Sequence, residues 1–396
     1  MSRKEIILVA TVQYDPLAPS FLADPYPTYA GLREDDPVHW SDGMGGWVLT
    51  RYEHVALALS DPRFSAADRP PMRRYGRATT MVTADPPEHT RLRRLVSKAF
   101  TPRAVERMRL RIQEIVDGLL DAVPPGGRMD VARDLAYPLP VVVIAEMLGV
   151  PVEDRERFKR WASEGLAGIV GRFASVEQQE QARRSGEELR EYFVDIIAQR
   201  RRERRDDLVS ALIGAEDQGQ ALSGDEVLDN CTLLITAGHE TTTSLIGNGV
   251  LALLRHPSEL QRLQTDPSLS RTAVEELLRY DPPVQAVTRR TNENVVLDGR
   301  TIKKGEVVYA VIAAANRDPR RFDDPDKLDV GRQENAHLGF GDGIHFCLGA
   351  PLARAEAQIG IGTIVSRFAA LRRTGDDVEW GGNFIVRGVA KLPVEY

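Results

Sequence analysis

Residues 340–349 read Phe340-Gly341-Asp342-Gly343-Ile344-His345-Phe346-Cys347-Leu348-Gly349. A single cysteine sits in a loop with glycines at 341, 343 and 349, and helical sequence follows directly over roughly 348–368. A thiolate is a nucleophile and a metal ligand, and its pKa falls at a helix N-terminus. Glycines permit tight turns and close backbone approach. That suits a loop that aims backbone N–H groups at a sulfur while a flat group lies against it. Cys231 is the only other cysteine and no C-x-x-C occurs, so a zinc site built on several cysteines is excluded. One thiolate on the iron of a haem fits better. Taken alone, the loop suits a buried structural cysteine equally well, a common fate for this residue type.

Upstream, residues 223–256 form the strongest single element. Ser223 and Glu226 have capping-box spacing and Pro257 follows the end. About 30 residues at ~1.5 Å each give a helix of roughly 45 Å, enough to cross a domain. Its middle reads Ala237-Gly238-His239-Glu240-Thr241-Thr242-Thr243, a run of poor helix formers. A local rule broken inside a long apolar helix marks a candidate functional site. An acid followed by a hydroxyl suits proton delivery to a bound ligand, and a polar spot satisfied inside the core is the plainer reading. A third feature lies in the helix expected at 270–281. Glu276 and Arg279 stand i,i+3 on one face, as an exposed pair or as something more.

Taken together, F-x-x-G-x-H-x-C-x-G, A-G-x-E-T and E-x-x-R, in their order and separation, resemble the cytochrome P-450 superfamily of haem-thiolate monooxygenases. The resemblance runs from about Tyr14 to Tyr396 and is strongest to soluble bacterial members acting on macrolides, polyketides and other secondary metabolites. It implies a mainly α fold with a minor β-rich region. Haem would lie between a long central distal helix and a proximal helix that follows the cysteine loop. It implies haem b (iron protoporphyrin IX) as cofactor and Cys347 as the axial metal ligand. Phe340 would pack near the sulfur, with Gly349, Ala237 and Gly238 against the cofactor. His89, Arg93, Arg289 and His345 match the clamp on the haem propionates; Arg290, next to Arg289, is the rival for that place. Glu276, Arg279 and Arg332 match a buried network, with Leu328 where an aromatic is usual. Glu240 and Thr241 match the acid–alcohol pair that handles protons for dioxygen. The distal pocket is expected from Met81, Val82, Leu234, Val284, Val287, Phe384 and Ile385, apolar apart from Glu240. Arg73, Arg74 and Arg77 could supply a cation for an acidic substrate.

The expected reaction is insertion of one oxygen atom from O2 into a C–H bond or an alkene of a bulky, largely apolar small molecule in secondary metabolism. Catabolic or xenobiotic, steroid or terpenoid hydroxylation is the rival reading. A peroxygenase or a haem sensor without turnover would be expected to lack the acid–alcohol pair. No flavin or nicotinamide fingerprint occurs, so ferredoxin and ferredoxin reductase are the expected electron donors. Arg91, Arg94, Arg103, Arg107, Arg109 and Arg111 are the candidate docking face, or an ordinary solvated helix.

Composition agrees. The 396 residues are 42% hydrophobic and 28% charged, which excludes disordered, collagenous and fibrous classes. A net charge of −6 argues against a nucleic-acid partner. The apolar run Ile6–Val12 is too short to span a bilayer, and Val227–Leu254 carries Asp229, His239, Glu240 and Asn248. No membrane association and a cytoplasmic location are expected. Nothing forces a domain boundary, so residues 1–396 read as one domain, with 1–13 a loose N-terminal arm. Elsewhere, Trp47–Tyr52 reads as a strand, 88–122 as helical, 284–312 as short strands with an Asp298-Gly299 hairpin, and Arg200–Arg205 as a solvated helix end. Lid motion is expected around 66–82 and 165–190.

Overall fold

The computed structural model describes residues 14–67, 79–124, 127–165, 175–217, 219–375 and 378–396. The expected arm at 1–13, the three arginines at 73, 74 and 77, and residues 68–78 and 166–174 of the two expected lids fall outside these residues.

The central helix runs Gly224–Arg255 without a break. Ser223 accepts from the Glu226 amide and the Glu226 side chain returns to the Ser223 amide, so the capping box forms as its spacing indicates. Threonine hydroxyls along its middle donate back to carbonyls one turn earlier. Thr232 reaches Leu228 at 3.0 Å, Thr236 reaches Thr232 at 2.7 Å and Thr241 reaches Ala237 at 2.8 Å. Against it pack Pro138–Met147, Val176–Arg202, Ser270–Tyr280 and Ala350–Arg367, and Pro102–Asp121 packs on the last of these; Glu88–Ala99 precedes it. The helical stretch 88–122 is two helices, because Thr101 caps a new one by accepting from Ala104 with Pro102 at its first position.

The β portion is small. Its main sheet has the order Val38–Ser41, Gly46–Leu49, Val307–Ala310, Val287–Thr291, Phe64–Ser65. The strand expected through Tyr52 ends at Leu49, where it pairs in parallel with Ala310. Tyr52 instead opens a helix, and its amide is taken by the Asp318 carboxylate at 2.9 Å. The hairpin at Asp298-Gly299 forms, with φ of 45° and 75° at the two turn residues, the twist a two-residue loop requires.

The Arg200–Arg205 run differs from expectation. The helix ends at Arg202, and Arg200 is buried, paired with Asp207 and donating to the Gly149 carbonyl at 3.0 Å. Its aliphatic stem and its charge are both used internally, as a long cationic side chain permits. The main core gathers on the central helix through Leu233, Ile235, Leu245, Ile246 and Val250, with two smaller clusters against the sheet.

Candidate active site

The cysteine loop is held open by its own backbone. Gly341 and Gly343 take φ of 75° and 64°, and Cys347 donates its amide to the Phe340 carbonyl at 2.9 Å. At Gly343 a Cβ would lie 2.9 Å from the Ser60 Cα, so the loop can sit against Leu59 and Ser60 only with glycine there. Cys347 lies deep in the molecule yet opens onto an internal cavity of about 300 Å³. Burial pushes its thiol up, while the Gly349 and Ala350 amides and the Arg93 and Arg354 charges pull it down. Ala350 starts the following helix, so both amides belong to a helix N-terminus. Phe346, 40% exposed, lines the cavity beside the sulfur as a bare apolar wall. Phe340 lies 6.2 Å from the Phe346 ring, with the Arg354 guanidinium over its face at 4.5 Å.

The four residues expected to clamp an anion gather at this wall. His89 and His345 rings stand 4.5 Å apart, and Arg93 donates to the Phe346 carbonyl at 2.6 Å. His89 is 2% exposed and neither ring nitrogen completes a hydrogen bond. Burial, then the Arg93 charge, depress its pKa. Arg289 lines the cavity from the strand Val287–Thr291, whereas Arg290 donates to the Gly305 carbonyl on the outer side.

The central helix forms the opposite wall. Leu234, Ala237, Gly238, Thr241, Thr242 and Leu245 face the cavity, and a Cβ at Gly238 would meet nothing within 4 Å. Glu240 does not face it. Consecutive helical residues point about 100° apart, and Glu240 lies with His239 in a second cavity behind the helix. The acid–alcohol pair is therefore divided between two faces, and the distal cavity carries no acid from the central helix. Burial raises the Glu240 carboxyl to about 8.

Of the expected substrate contacts, Met81, Val82, Leu234, Val284 and Val287 line the cavity. Phe384 and Ile385 do not. Phe384 is buried against Tyr309 at 6.2 Å, and the Ile385 carbonyl accepts from Gln285 at 2.8 Å, which turns this segment into the neighbouring core. Leu233, Phe100, Ile144 and Thr242 line it instead. Their apolar periodicity alone does not separate cavity lining from core.

Beneath the loop, Glu276 and Arg279 pair through two bonds of 2.8 and 2.7 Å with both side chains fully buried. Arg332 joins at 3.1 Å, and Leu328 is buried in the core despite its departure from the usual aromatic. Sequence reasoning missed Asn335, which donates to Glu276 at 3.1 Å. It also missed a second network one residue away. Glu275 accepts from Arg354 at 2.7 and 2.8 Å and meets His337 Nε2 at 3.1 Å, tying the loop to both flanking helices. Despite burial, these partners hold Glu275 down at about 2. Glu356, fully buried, lines the cavity near the loop with one unpartnered carboxylate oxygen and is raised to about 8 by burial. The acidic pair Glu275-Glu276 was the available signal.

The Cys347 sulfur, His345 with the His89 ring packed on it, Arg93, Arg289 and a missing side chain at Gly238 surround one slot. These residues fit a flat, iron-bearing group with anionic arms. A model of the cytochrome P-450 family matches residues 40–380. The chain is 42% identical over 394 residues to cytochrome P-450 monooxygenase PikC of Streptomyces venezuelae, covering 96% of this chain and 93% of that protein. It is 42% identical over 397 residues to a vitamin D(3) 25-hydroxylase of Pseudonocardia autotrophica, covering 97% and 96%. Among solved structures, the bacillaene polyketide synthase cytochrome P-450 PksS of Bacillus subtilis superposes with a TM-score of 0.90 at 36% identity, covering 97% and 99%.

Proposed function

The chain belongs to the cytochrome P-450 family, and from that membership we propose that it hydroxylates, or epoxidises at an alkene, a bulky and largely apolar small molecule of secondary metabolism. It is a haem-dependent monooxygenase; the finer assignments that follow are haem b, one domain over 1–396, a cytoplasmic location, and electrons from ferredoxin and its reductase. The observation that carries the reading is the cavity of about 300 Å³ with the Cys347 sulfur on one wall and the Thr241 hydroxyl on the other.

Cys347 would hold the haem iron, and the bound group would supply the activation of dioxygen. The chain's own residues do the rest. The Gly349 and Ala350 amides stabilise negative charge on the sulfur. Arg93, Arg289 and His345, with His89 packed on His345, would present donors to the carboxylates of the cofactor. Thr241 holds a proton at Oγ1, at rest shared with the Ala237 carbonyl. Glu240 stays protonated near pH 7 because burial raises it to about 8, so it can act as an acid. Leu233, Leu234, Ile144 and Val284 exclude water and leave apolar surface for substrate.

The candidate docking face is largely self-neutralised. Arg91 pairs with Glu88 and Glu226, Arg109 with Glu106 at 3.8 Å, and Arg111 with Glu114 and Glu146; of the other three, Arg94 is half-buried, and Arg103 and Arg107 are the exposed cations offered to an acidic ferredoxin. Steroid hydroxylation is the second reading, favoured by the relative named for vitamin D(3). The test is an optical titration of the ferric protein with macrolides, aromatic polyketides, terpenes, steroids and fatty acids. A low-to-high-spin shift with a polyketide or macrolide is expected. A shift confined to steroids would move the assignment to the second reading.

A further inference from the structure

Glu275 stands one residue before the buried network and is held differently. Arg354 donates to it through two parallel bonds of 2.7 and 2.8 Å, and His337 Nε2 meets it at 3.1 Å. His337 Nδ1 accepts the Gly339 amide at 3.0 Å, so the ring proton lies on Nε2 and points at the carboxylate. Burial would raise Glu275, but the bonds from Arg354 and His337 outweigh it, and the carboxylate stays ionised near pH 7. The forked bonds fix the guanidinium plane, and its face lies over the Phe340 ring at 4.5 Å. Phe340 in turn accepts the Cys347 amide through its carbonyl at 2.9 Å. A chain of contacts thus runs from the helix Ser270–Tyr280 to the backbone of the cysteine. Fold stability does not account for it. The Glu275 and Arg354 side chains are 29% and 32% exposed, and an ion pair this open contributes little. The fully buried Glu276–Arg279 pair already secures this region.

Arg354 is also a cation whose charge reaches the Cys347 sulfur, as Arg93 is. From this geometry we propose that Glu275 is a positioning residue that holds Arg354 on the Phe340 ring and offsets its charge, and so sets how strongly Cys347 donates to the bound iron. The inference rests on the axial role proposed above for Cys347. An uncompensated guanidinium near a thiolate stabilises negative charge on the sulfur and makes it a poorer donor. The Glu275 carboxylate, 2.7 Å from the Arg354 guanidinium, opposes that field at its source. Charge and hydrogen bonding around a ligand sulfur are general levers on the potential of the metal it holds. Arg354 and Glu275 carry opposite signs, so removing one or the other moves donation in opposite directions. A merely structural pair behaves otherwise, because loss of either partner loosens the same loop in the same way.

The test measures the ferric–ferrous equilibrium of the haem-loaded protein against a redox dye, and the C–O stretch of its reduced carbon monoxide form. Arg354→Met keeps a stem against Phe340 and removes the charge. Reduction should become about threefold or more less favourable, and the C–O stretch should fall. Glu275→Gln keeps the side-chain shape and leaves Arg354 uncompensated. Reduction should become about threefold or more favourable, and the stretch should rise. The double variant should return to within about twofold of wild type, with its stretch between those of the single variants. Glu275→Asp keeps the charge and should stay within about twofold of wild type, which keeps the test open where Arg354→Met does not take up haem. Shifts of the same sign in Arg354→Met and Glu275→Gln, no shift in either, or equal shifts in the Asp and Gln variants would overturn the proposal. A wild type that takes up haem without a thiolate-type carbon monoxide band would instead remove the axial role of Cys347 on which the proposal rests.

Discussion

At the residue scale the account turns on three side chains. Cys347 was singled out by its glycine-framed loop before a helix, and its role as axial ligand is what the resemblance to the cytochrome P-450 family implies. Thr241 was legible by its motif, and its hydroxyl is found donating to Ala237 at 2.8 Å. In the loaded enzyme with substrate and reductant, Thr241→Ala should still consume oxygen but divert most of it to hydrogen peroxide, read as the ratio of peroxide to product. Intact coupling would assign the proton step to another group. Glu240 was legible as an acid but not in its placement. Its raised pKa has a signed consequence. An unfolded glutamate titrates near ~4.3. Folding with the neutral acid is therefore fully favourable below that pH, and this contribution is lost as pH rises toward about 8. Glu240→Gln cannot ionise. It should match wild-type stability near pH 4 and exceed it at pH 8.5 by up to about 5 kcal/mol, at about 1.36 kcal/mol per tenfold change in proton affinity. Denaturant midpoints at the two pH values check this, and an equal difference at both would contradict it.

At the element scale the central helix shows what a sequence does and does not disclose. Its start was written in Ser223 and Glu226, and its end before Pro257. Ser223→Ala should lower stability by about 1 kcal/mol, the usual cost of a lost N-cap, without altering the optical spectrum of the bound cofactor. A midpoint shift of zero would mean the cap is not formed. The helix also fixes that adjacent residues 240 and 241 diverge by about 100°. What the sequence withheld was the position of the cavity around that wheel, which depends on the tail strands and on Tyr137, more than a hundred residues away on either side. The same limit explains Phe384 and Ile385. Their segment was placed correctly beside the site, yet its turn sends the side chains into the core with Tyr309. Arg200 fails for a different reason: a run of six charged residues looks uniformly solvated, and nothing local marks the one that finds Asp207.

At the scale of the whole molecule, the buried network beneath the cysteine loop joins three distant stretches. The E-x-x-R spacing put Glu276 and Arg279 on one face, and the family pattern supplied Arg332. Complete burial, and the contribution of Asn335 from 59 residues downstream, came only with the fold. Glu276→Gln leaves two buried guanidinium groups without their carboxylate and should lower stability by about 3–5 kcal/mol. Arg183→Ala, which removes exposed pairs to Glu180 and Glu187, should change it by less than about 1 kcal/mol. Comparable losses in the two variants would deny the network its structural role. All these elements converge on one sulfur, so the most direct measurement is the optical spectrum of the reduced protein with carbon monoxide, for wild type and Cys347→Ala. The account predicts a thiolate-type band in the wild type that is absent from the folded variant. A wild type that binds haem without that band, or a Cys347→Ala protein that keeps it, would contradict the assignment of Cys347 and the chemistry built on it.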